Sequence, residues 1–592
     1  MDKIKYSIVL LAGLLTLAGC NDSFLDQTPE TDITEKNFFK TDADLQLYSN
    51  KFYDYFYKST LSLGDGVSDN GVCGNTTDRL YLYMSGGVTP DNVGKWGWGD
   101  IRNVNFMIAR SGKATGDNAK HYIGLARLSR AKLYYDKVLA YSDVPWYSRD
   151  LQTNDDELLY KTQDSRATVC DSILADLDYA IANMKTAAQM GGHSYATKDL
   201  ALAVKAHICL SEASWRKYHA ELNSKDADRF YKEAISACEQ LMGMGYALSP
   251  DYHTLFCNTS LADNPEAIFY KDYDRANSIL WCYNDLFGCN YGVSKDLFDT
   301  FLYLTDDGRA VPYTSIKGYN TKSMAEGFKN RDPRLKLQIV YPGYCRPATP
   351  TTPFRQMLNT NQGYSVCKWE PMVNNGNTTG YGSGDCCFGD VAYYRYAEIL
   401  LIYAEAKAEL GQLTQADLDK SINLLRDRVG MPHAQLSDWL ANVDPVLAQK
   451  YPNVTGSQRG AILEVRRERR VELFQEGMRH DDLFRWALGK AFEDLGKGIY
   501  VGTKFPAEVD RDGDGVADAA IVENEAQKAA EQAKGLTAFI IGTDGFQISS
   551  DGYIEPNDEK GKYTFDTKCY YTPVSSQDIV VNPNLVQNPL WK

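Results

Sequence analysis

The sequence predicts a mainly α protein, a scaffold of helical hairpins carrying a large, irregular, loop-rich lobe. Two patterns predict this. Apolar residues recur at helical spacing from His121 to Tyr246 and again from Tyr393 to Phe492, whereas residues 341–390 are rich in Pro, Gly, Asn and Thr. The third observation is bulk: 592 residues, 44% apolar and 24% charged, have the proportions of a folded chain with a sizeable core rather than of a disordered one.

Leu125, Leu128, Ala131, Leu133, Tyr134, Val138 and Leu139 mark one face of a first long helix, which ends before Asp143-Val144-Pro145 because Pro disfavours helix in the residue before it. A second helix runs from Ser165 to Met184 on Ile173, Leu174, Leu177 and Ile181, and Gly191-Gly192 then break the chain. A third, from Thr197 to Tyr218, is rich in Ala and Leu, and a fourth runs from Ala227 to Met244 before Gly245. Long helices on short connections predict antiparallel hairpins. Their Ala-rich packing resembles tetratricopeptide units, without a strict repeat of about 34 residues. The later half predicts helices over Tyr393 to Leu410, Thr414 to Val429 and Ser457 to Phe492. Between the halves, Asn374-Asn375-Gly376-Asn377-Thr378-Thr379-Gly380 typifies a stretch that cannot be helical and belongs in surface loops, where ligand contacts concentrate.

Charge and leader set the compartment. With 63 basic against 78 acidic side chains the net charge is −15, which argues against nucleic acid as a partner. Residues 1–19 read as a cleaved export signal: Lys3 and Lys5, an apolar run from Ile8 to Leu17 too short to span a bilayer, then Leu17-Ala18-Gly19-Cys20. That last run resembles the lipobox of bacterial lipoproteins, which implies lipidation of Cys20 and a chain tethered to a membrane. The remaining cysteines show no repeated framework; several lie in helical patterns (Cys170, Cys209, Cys238), so buried thiols are at least as well supported as disulfides.

The chemistry-bearing clusters read as follows. Glu464, Arg466, Arg467, Glu468, Arg469, Arg470 and Glu472 mix charges at helical spacing, which supports ion pairs along a helix rather than a catalytic acid pair. Glu398, Glu405 and Glu409 read the same way. His480, Asp481 and Asp482 point in different directions around a helix and make no metal site. Asp510, Asp512, Asp514 and Asp518, with Gly515, match positions 1, 3, 5, 9 and 6 of a calcium loop, but position 12 is Ile521, so an acid such as Glu523 would have to complete it. An Asp/Gly-rich turn is the equal alternative. Structural calcium is thus an open expectation, and no other cofactor is required. The 40 Tyr stand out, since flat rings with polar tips suit polar ligands as well as cores. As contacts for a polar ligand the aromatic candidates are Trp96 and Trp98 in Trp96-Gly97-Trp98-Gly99-Asp100, with Asp69, Asn70 and Arg79 upstream, and then Trp281, Tyr283, Trp369 and Tyr381 in non-helical regions.

A resemblance to a family rests on ordered motifs. After Cys20 come Phe24-Leu25-Asp26-Gln27-Thr28-Pro29-Glu30, Asn37-Phe38-Phe39 and Asp42-Ala43-Asp44. Arg127 to Pro145, Arg331-Asp332-Pro333-Arg334-Leu335, Arg395 to Leu401 with Tyr403-Ala404-Glu405-Ala406, Arg466 to Trp486, and Asn582-Pro583-Asn584-Leu585 with Gln587 to Trp591 follow in order. Together they resemble the SusD/RagB family of outer-membrane lipoproteins of Bacteroidetes, with His480-Asp481 standing where bulky apolar residues are usual. The resemblance implies one body over residues 20–592, with an N-terminal half (20–320) holding the tetratricopeptide-like helices and a C-terminal signature half (321–592) holding inserts 341–390 and 496–568. It implies a non-catalytic, surface-exposed lid that captures oligosaccharides, with an aromatic near Trp96 in the binding platform, and passes them to a SusC-like TonB-dependent transporter. A lipid-anchored glycoside hydrolase, a protein-binding scaffold and a peptide-binding lid remain alternatives.

Overall fold

The computed structural model describes residues 38–592 apart from 59–64, 66, 73–78, 95, 259, 274–291, 346–350, 354–357, 359, 361, 370–388, 495 and 557–563. The predicted hairpins are there. Helices Ala119–Tyr141 and Arg166–Asn183 pack on each other, Lys198–Tyr218 packs on Ala227–Met242, and the latter leads on to Tyr396–Glu409 and then Arg459–Glu472. Local chemistry sets the ends: Ser165 accepts the Thr168 amide as an N-cap, and Ser142, at φ 67°, turns the chain out of the first long helix toward Pro145. A Cβ at Gly124 would sit 2.5 Å from Cγ of Met184, so the first hairpin closes only because this position has no side chain.

Two predicted helices are divided. Residues 414–429 form Gln415–Asp419 and Ile422–Arg428, and 457–492 form Arg459–Glu472 and Arg479–Arg485. The second break falls where Gln475 and Gly477 take left-handed φ values of 57° and 70°, which no continuous helix allows. The start of the signature segment is also not helical: Val391–Arg395 is a strand, antiparallel to Ala267–Lys271, and leads directly into the Tyr396–Glu409 helix. Its residues face core on both sides, and a run of apolar residues does not by itself separate strand from helix.

The apolar side chains fall into a large helical core and a second core under the loop-rich lobe. The second gathers Leu297, Phe298, Phe301, Leu335 and Ile339 with Phe474, Ile499, Ile521, Phe546 and Ile554. The position 320/321, expected to divide the chain into halves, therefore lies inside one packed lobe. Within the 496–568 insert, Ala519–Val522 is the central strand, parallel to Thr537–Ile540 and antiparallel to Ala507–Val509, with the Glu525–Ala533 helix between the parallel pair. Among the described residues no helix is long and apolar enough to cross a membrane, and the described cysteines are buried except for Cys345.

The signature charges lie inside. Arg334, Arg395, Arg426, Arg428 and Lys368 pair with Asp332, Glu266, Glu468, Glu472 and Glu476 in one connected network. Equal numbers of each sign leave it neutral, which is how so many charges can leave water. Most partners of the Arg459–Glu472 helix come from other segments, so the pairs staple distant parts of the chain rather than decorate a helix surface.

Candidate ligand-binding surfaces

The Trp96–Trp98 turn sits against the first long helix. Trp96 is 9% exposed, its ring edge-on to Trp98 and Tyr141 with centroids 5.3 Å away, and its amide donates to Asp578 at 3.1 Å. Trp98 is half-buried, 5.4 Å from Tyr147, with the Lys137 ammonium 4.5 Å over its face. Burial holds Lys137 below its ordinary value, opposed by Asp136, Asp100 and Asp578. Tyr134, Lys137 and Tyr141 recur at helical spacing, so the turn buries both indoles along one stripe of the helix. Trp96 is thus a core residue rather than an open platform, and only Trp98 keeps an exposed edge.

Asp69 and Asn70 are also not open to a ligand. Arg479 grips Asp69 through two hydrogen bonds of 2.7 Å, and Arg470 adds an ion pair at 3.3 Å. Burial alone would raise the Asp69 carboxyl, but the two guanidiniums outweigh it and hold the group well below the usual range. Asn70, 1% exposed, donates to Asp65 and accepts from Nε of Arg470 at 2.8 Å. Their polar atoms are consumed in joining the N-terminal segment to the Arg459–Glu472 and Arg479–Arg485 helices. Trp369 is 2% exposed, stacks edge-on against Phe256 and donates its indole N–H to the Gln475 carbonyl at 2.9 Å. It is a core residue: the loop composition around it concealed a site of deep burial. Arg79 opens the short helix Arg79–Met84, but its side chain, like Trp281, Tyr283, Tyr381 and Cys20, lies outside the described residues.

In the acid loop, carboxylate oxygens of Asp510, Asp512 and Asp514 lie within 4.8 Å of one another. Gly513 and Gly515 donate amides to Asp510 at 2.7 and 2.9 Å, which folds the loop around that side chain. Asp518 is not in the group; Arg511 takes it, Nε to Oδ1 at 2.5 Å. Ile521 is buried in its strand, and Glu523 lies beyond the far end of that strand, where it accepts from Gln527. Three convergent acids suit a hard cation, although calcium takes about 6–8 oxygens, so backbone carbonyls or water would supply the rest.

Sequence reasoning missed a shallow hollow of the lobe, with about 290 Å³ of space that includes open solvent at its mouth. Tyr319, Tyr500, Asn320, Lys322, Ser323 and Lys295 line it, over the buried Phe298, Tyr364 and Ile499. Tyr319 and Tyr500 are half-buried, each propped edge-on by a second tyrosine: Tyr313 at 5.6 Å and Tyr553 at 5.3 Å. The Tyr553 hydroxyl donates to the Asn320 carbonyl and ties the Tyr319–Thr321 turn to the insert. Lys295 lies 4.9 Å over the Tyr319 ring and pairs with Asp299 at 2.7 Å. Burial lowers Lys295 and raises Asp299, each opposed by the other's charge. Flat rings beside amide, hydroxyl and ammonium groups are the complement of a sugar ring. The signal was the excess of Tyr, but residues from 295 to 553 meet here only through the second core.

Comparison with known proteins agrees with this architecture. A family model described as the SusD family matches residues 265–591. "SusD-like protein P2" of Formosa agariphila is 25% identical over 82% of this chain and 91% of its own length, and "SusD-like protein P38" of that organism is 24% identical over 83% and 93%. Among solved structures, a SusD-like carbohydrate-binding protein from Bacteroides fragilis superposes with a TM-score of 0.64 at 19% identity, covering 93% of this chain and all of that one. A laminarin-binding SusD-like protein gives 0.51 at 17% identity, over 93% and 99%. With the family model matched over more than half its length and the helical scaffold shared throughout, the chain belongs to the SusD family.

Proposed function

We propose that the chain is a non-catalytic glycan-binding protein, anchored at the outer membrane through lipid on Cys20, that captures oligosaccharides and passes them to a SusC-like TonB-dependent transporter. The observation that carries the binding step is the tyrosine-lined hollow, where Tyr319 and Tyr500 offer ring faces beside Asn320, Ser323 and Lys322. Support comes from the two structurally similar SusD-like proteins, one carbohydrate-binding and one laminarin-binding. Trp98, half-buried and carrying Lys137 over one face, is a second candidate contact.

Calorimetric titration against a glycan panel tests the reading, using native protein, Tyr319→Ala, Tyr500→Ala and Trp98→Ala. Each tyrosine variant weakens binding by about 3- to 10-fold, the worth of one aromatic contact. Unchanged affinity in both removes the hollow from the function. New reducing ends on long incubation would refute the non-catalytic reading, and co-purification with a transporter tests the delivery step.

A further inference from the structure

We propose that His219 is a pH-sensitive latch: its ring carries both protons in this structure, and losing one of them releases the C-terminal segment from the helical scaffold. The inference stands apart from the sugar-site reading. His219, 2% exposed, caps the C-terminal end of the Lys198–Tyr218 helix. Its Nδ1 lies 2.8 Å from Oε1 of Glu221, and its Nε2 lies 2.7 Å from the Phe484 carbonyl oxygen. A carbonyl only accepts, so Nε2 bears a hydrogen. Glu221 is an acceptor too: burial would raise its carboxyl, but the hydrogen bond and charge of the His219 ring outweigh burial and hold it below its ordinary value. Nδ1 therefore donates as well, and the ring is an imidazolium.

The surroundings favour that charge. The C-terminal end of a helix presents partial negative charge to a cation, and the ring lies flat on the Trp215 indole, centroids 3.8 Å apart, with Tyr570 edge-on at 4.7 Å. The other charges nearby are matched among themselves. On its own helix Glu212 pairs with Arg216, which also takes Asp226, and Arg166, 5.0 Å over the Trp215 ring, pairs with the same Glu212. On Arg479–Arg485, His480 stacks on the Phe484 ring and bonds Asp481, while Arg485 pairs with Glu405 and Asp482. From the C-terminal segment come Tyr570 and Tyr571 beside Cys569; burial pushes both hydroxyls and the thiol up, so all three stay neutral. The latch runs through Glu221, whose Oε1 also accepts the Tyr571 hydroxyl at 3.0 Å. The following Thr572 amide donates to the Ala140 carbonyl at 2.7 Å, and the chain goes on to the Ser576–Val581 helix, where Asp578 accepts the Trp96 amide. When the ring gives up one proton, a lone pair faces either the carboxylate or the carbonyl at hydrogen-bond distance. Glu221, with 28% of its side chain exposed, is the group that can turn to water, and Tyr571 then loses its acceptor. The folded state prefers the protonated ring, so the latch holds in acid and is lost as pH rises.

Hydrogen exchange of the full chain, read by mass spectrometry from about pH 5.5 to about pH 8.5 and corrected for the intrinsic chemical rate, tests this together with the ring signals of carbon-13-labelled histidine. In native protein the exchange of residues 567–574 quickens about 10-fold over that range, the worth of one charge-assisted hydrogen bond, and the Arg166–Asn183 helix does not follow. Glu221→Gln exchanges at the fast rate throughout, and its His219 ring gives up the second proton at lower pH than in native protein. Tyr571→Phe keeps the native titration of the ring and removes the pH dependence of the segment, which separates the switch from what it holds. A His219 ring that carries a single proton across the whole range, a flat exchange profile in native protein, or a profile that survives Glu221→Gln overturns the latch.

Discussion

Glu472 is the point at which the buried network is most exposed to a single change. Its carboxylate, 0% exposed, meets Arg395 at 2.9 Å, Arg428 at 2.5 Å and Arg334 at 3.3 Å. Burial would raise it, but the three guanidiniums outweigh burial and hold it far below the ordinary value of 4.5. Glu472→Ala leaves those cations short of one charge in a site buried from solvent. Breaking a buried pair of this kind costs about 3–5 kcal/mol, whereas an exposed pair is worth about 0–1 kcal/mol. The internal control is Asp551→Asn, which removes the Lys497 partner at a site where the side chains are 43% and 54% exposed. Urea unfolding followed by fluorescence reads the difference, because Trp369 hydrogen-bonds the Gln475 carbonyl in the same turn of chain. Glu472→Ala unfolds at much lower urea than native protein, and Asp551→Asn unfolds close to native. Equal midpoints for the two variants would refute the argument that the neutral, buried network holds the two cores together. The sign with pH follows from the lowered value: the stabilisation is complete above 4.5 and is lost only as pH falls through the depressed folded value.

Asp65 has the opposite sign. Burial raises it to about 6, against hydrogen bonds from the Gln475 amide and Asn70 that lower it. The folded state then holds this proton more tightly than the unfolded state does, so its contribution grows as pH falls from 7 toward 4 and is lost as pH rises through about 6, a change of about 3 kcal/mol. Melting curves of native protein and Asp65→Asn should converge at pH 4 and separate at pH 7; a constant offset across that range would sink the assignment. In the acid loop we propose calcium. Adding it raises the melting midpoint of native protein and not of Asp510→Asn, with an affinity anywhere from about micromolar to millimolar. No heat of binding and no change in the midpoint would count against it.

The long helices and their order were readable because amphipathic spacing is a local property that any hairpin partner must respect. So was the structural role of the Arg466–Glu472 charges, since no acid there lacked an arginine nearby. The aromatic site was read less well. Trp96 and Trp369 stand in Gly- and Asn-rich surroundings that suggest open loops, yet one packs on a helix stripe and the other lies in the large helical core against Phe256. Asp69 and Asn70 suggested ligand contacts, but their partners, Arg470 and Arg479, lie some four hundred positions later.

By itself the sequence determined the helical scaffold, the net charge and the set of motifs that mark the family, because each depends on composition or on neighbours a few residues apart. Tertiary structure alone decided which aromatic rings remain open. Segments around 295, 319 and 500 converge only after Phe298, Tyr364 and Ile499 have packed beneath them, and that burial depends on contacts between positions with no local relation. Burial likewise explains why Asp518 does not converge with the other acids of the loop: it pairs with the buried Arg511, and a buried guanidinium stripped of its carboxylate is costly.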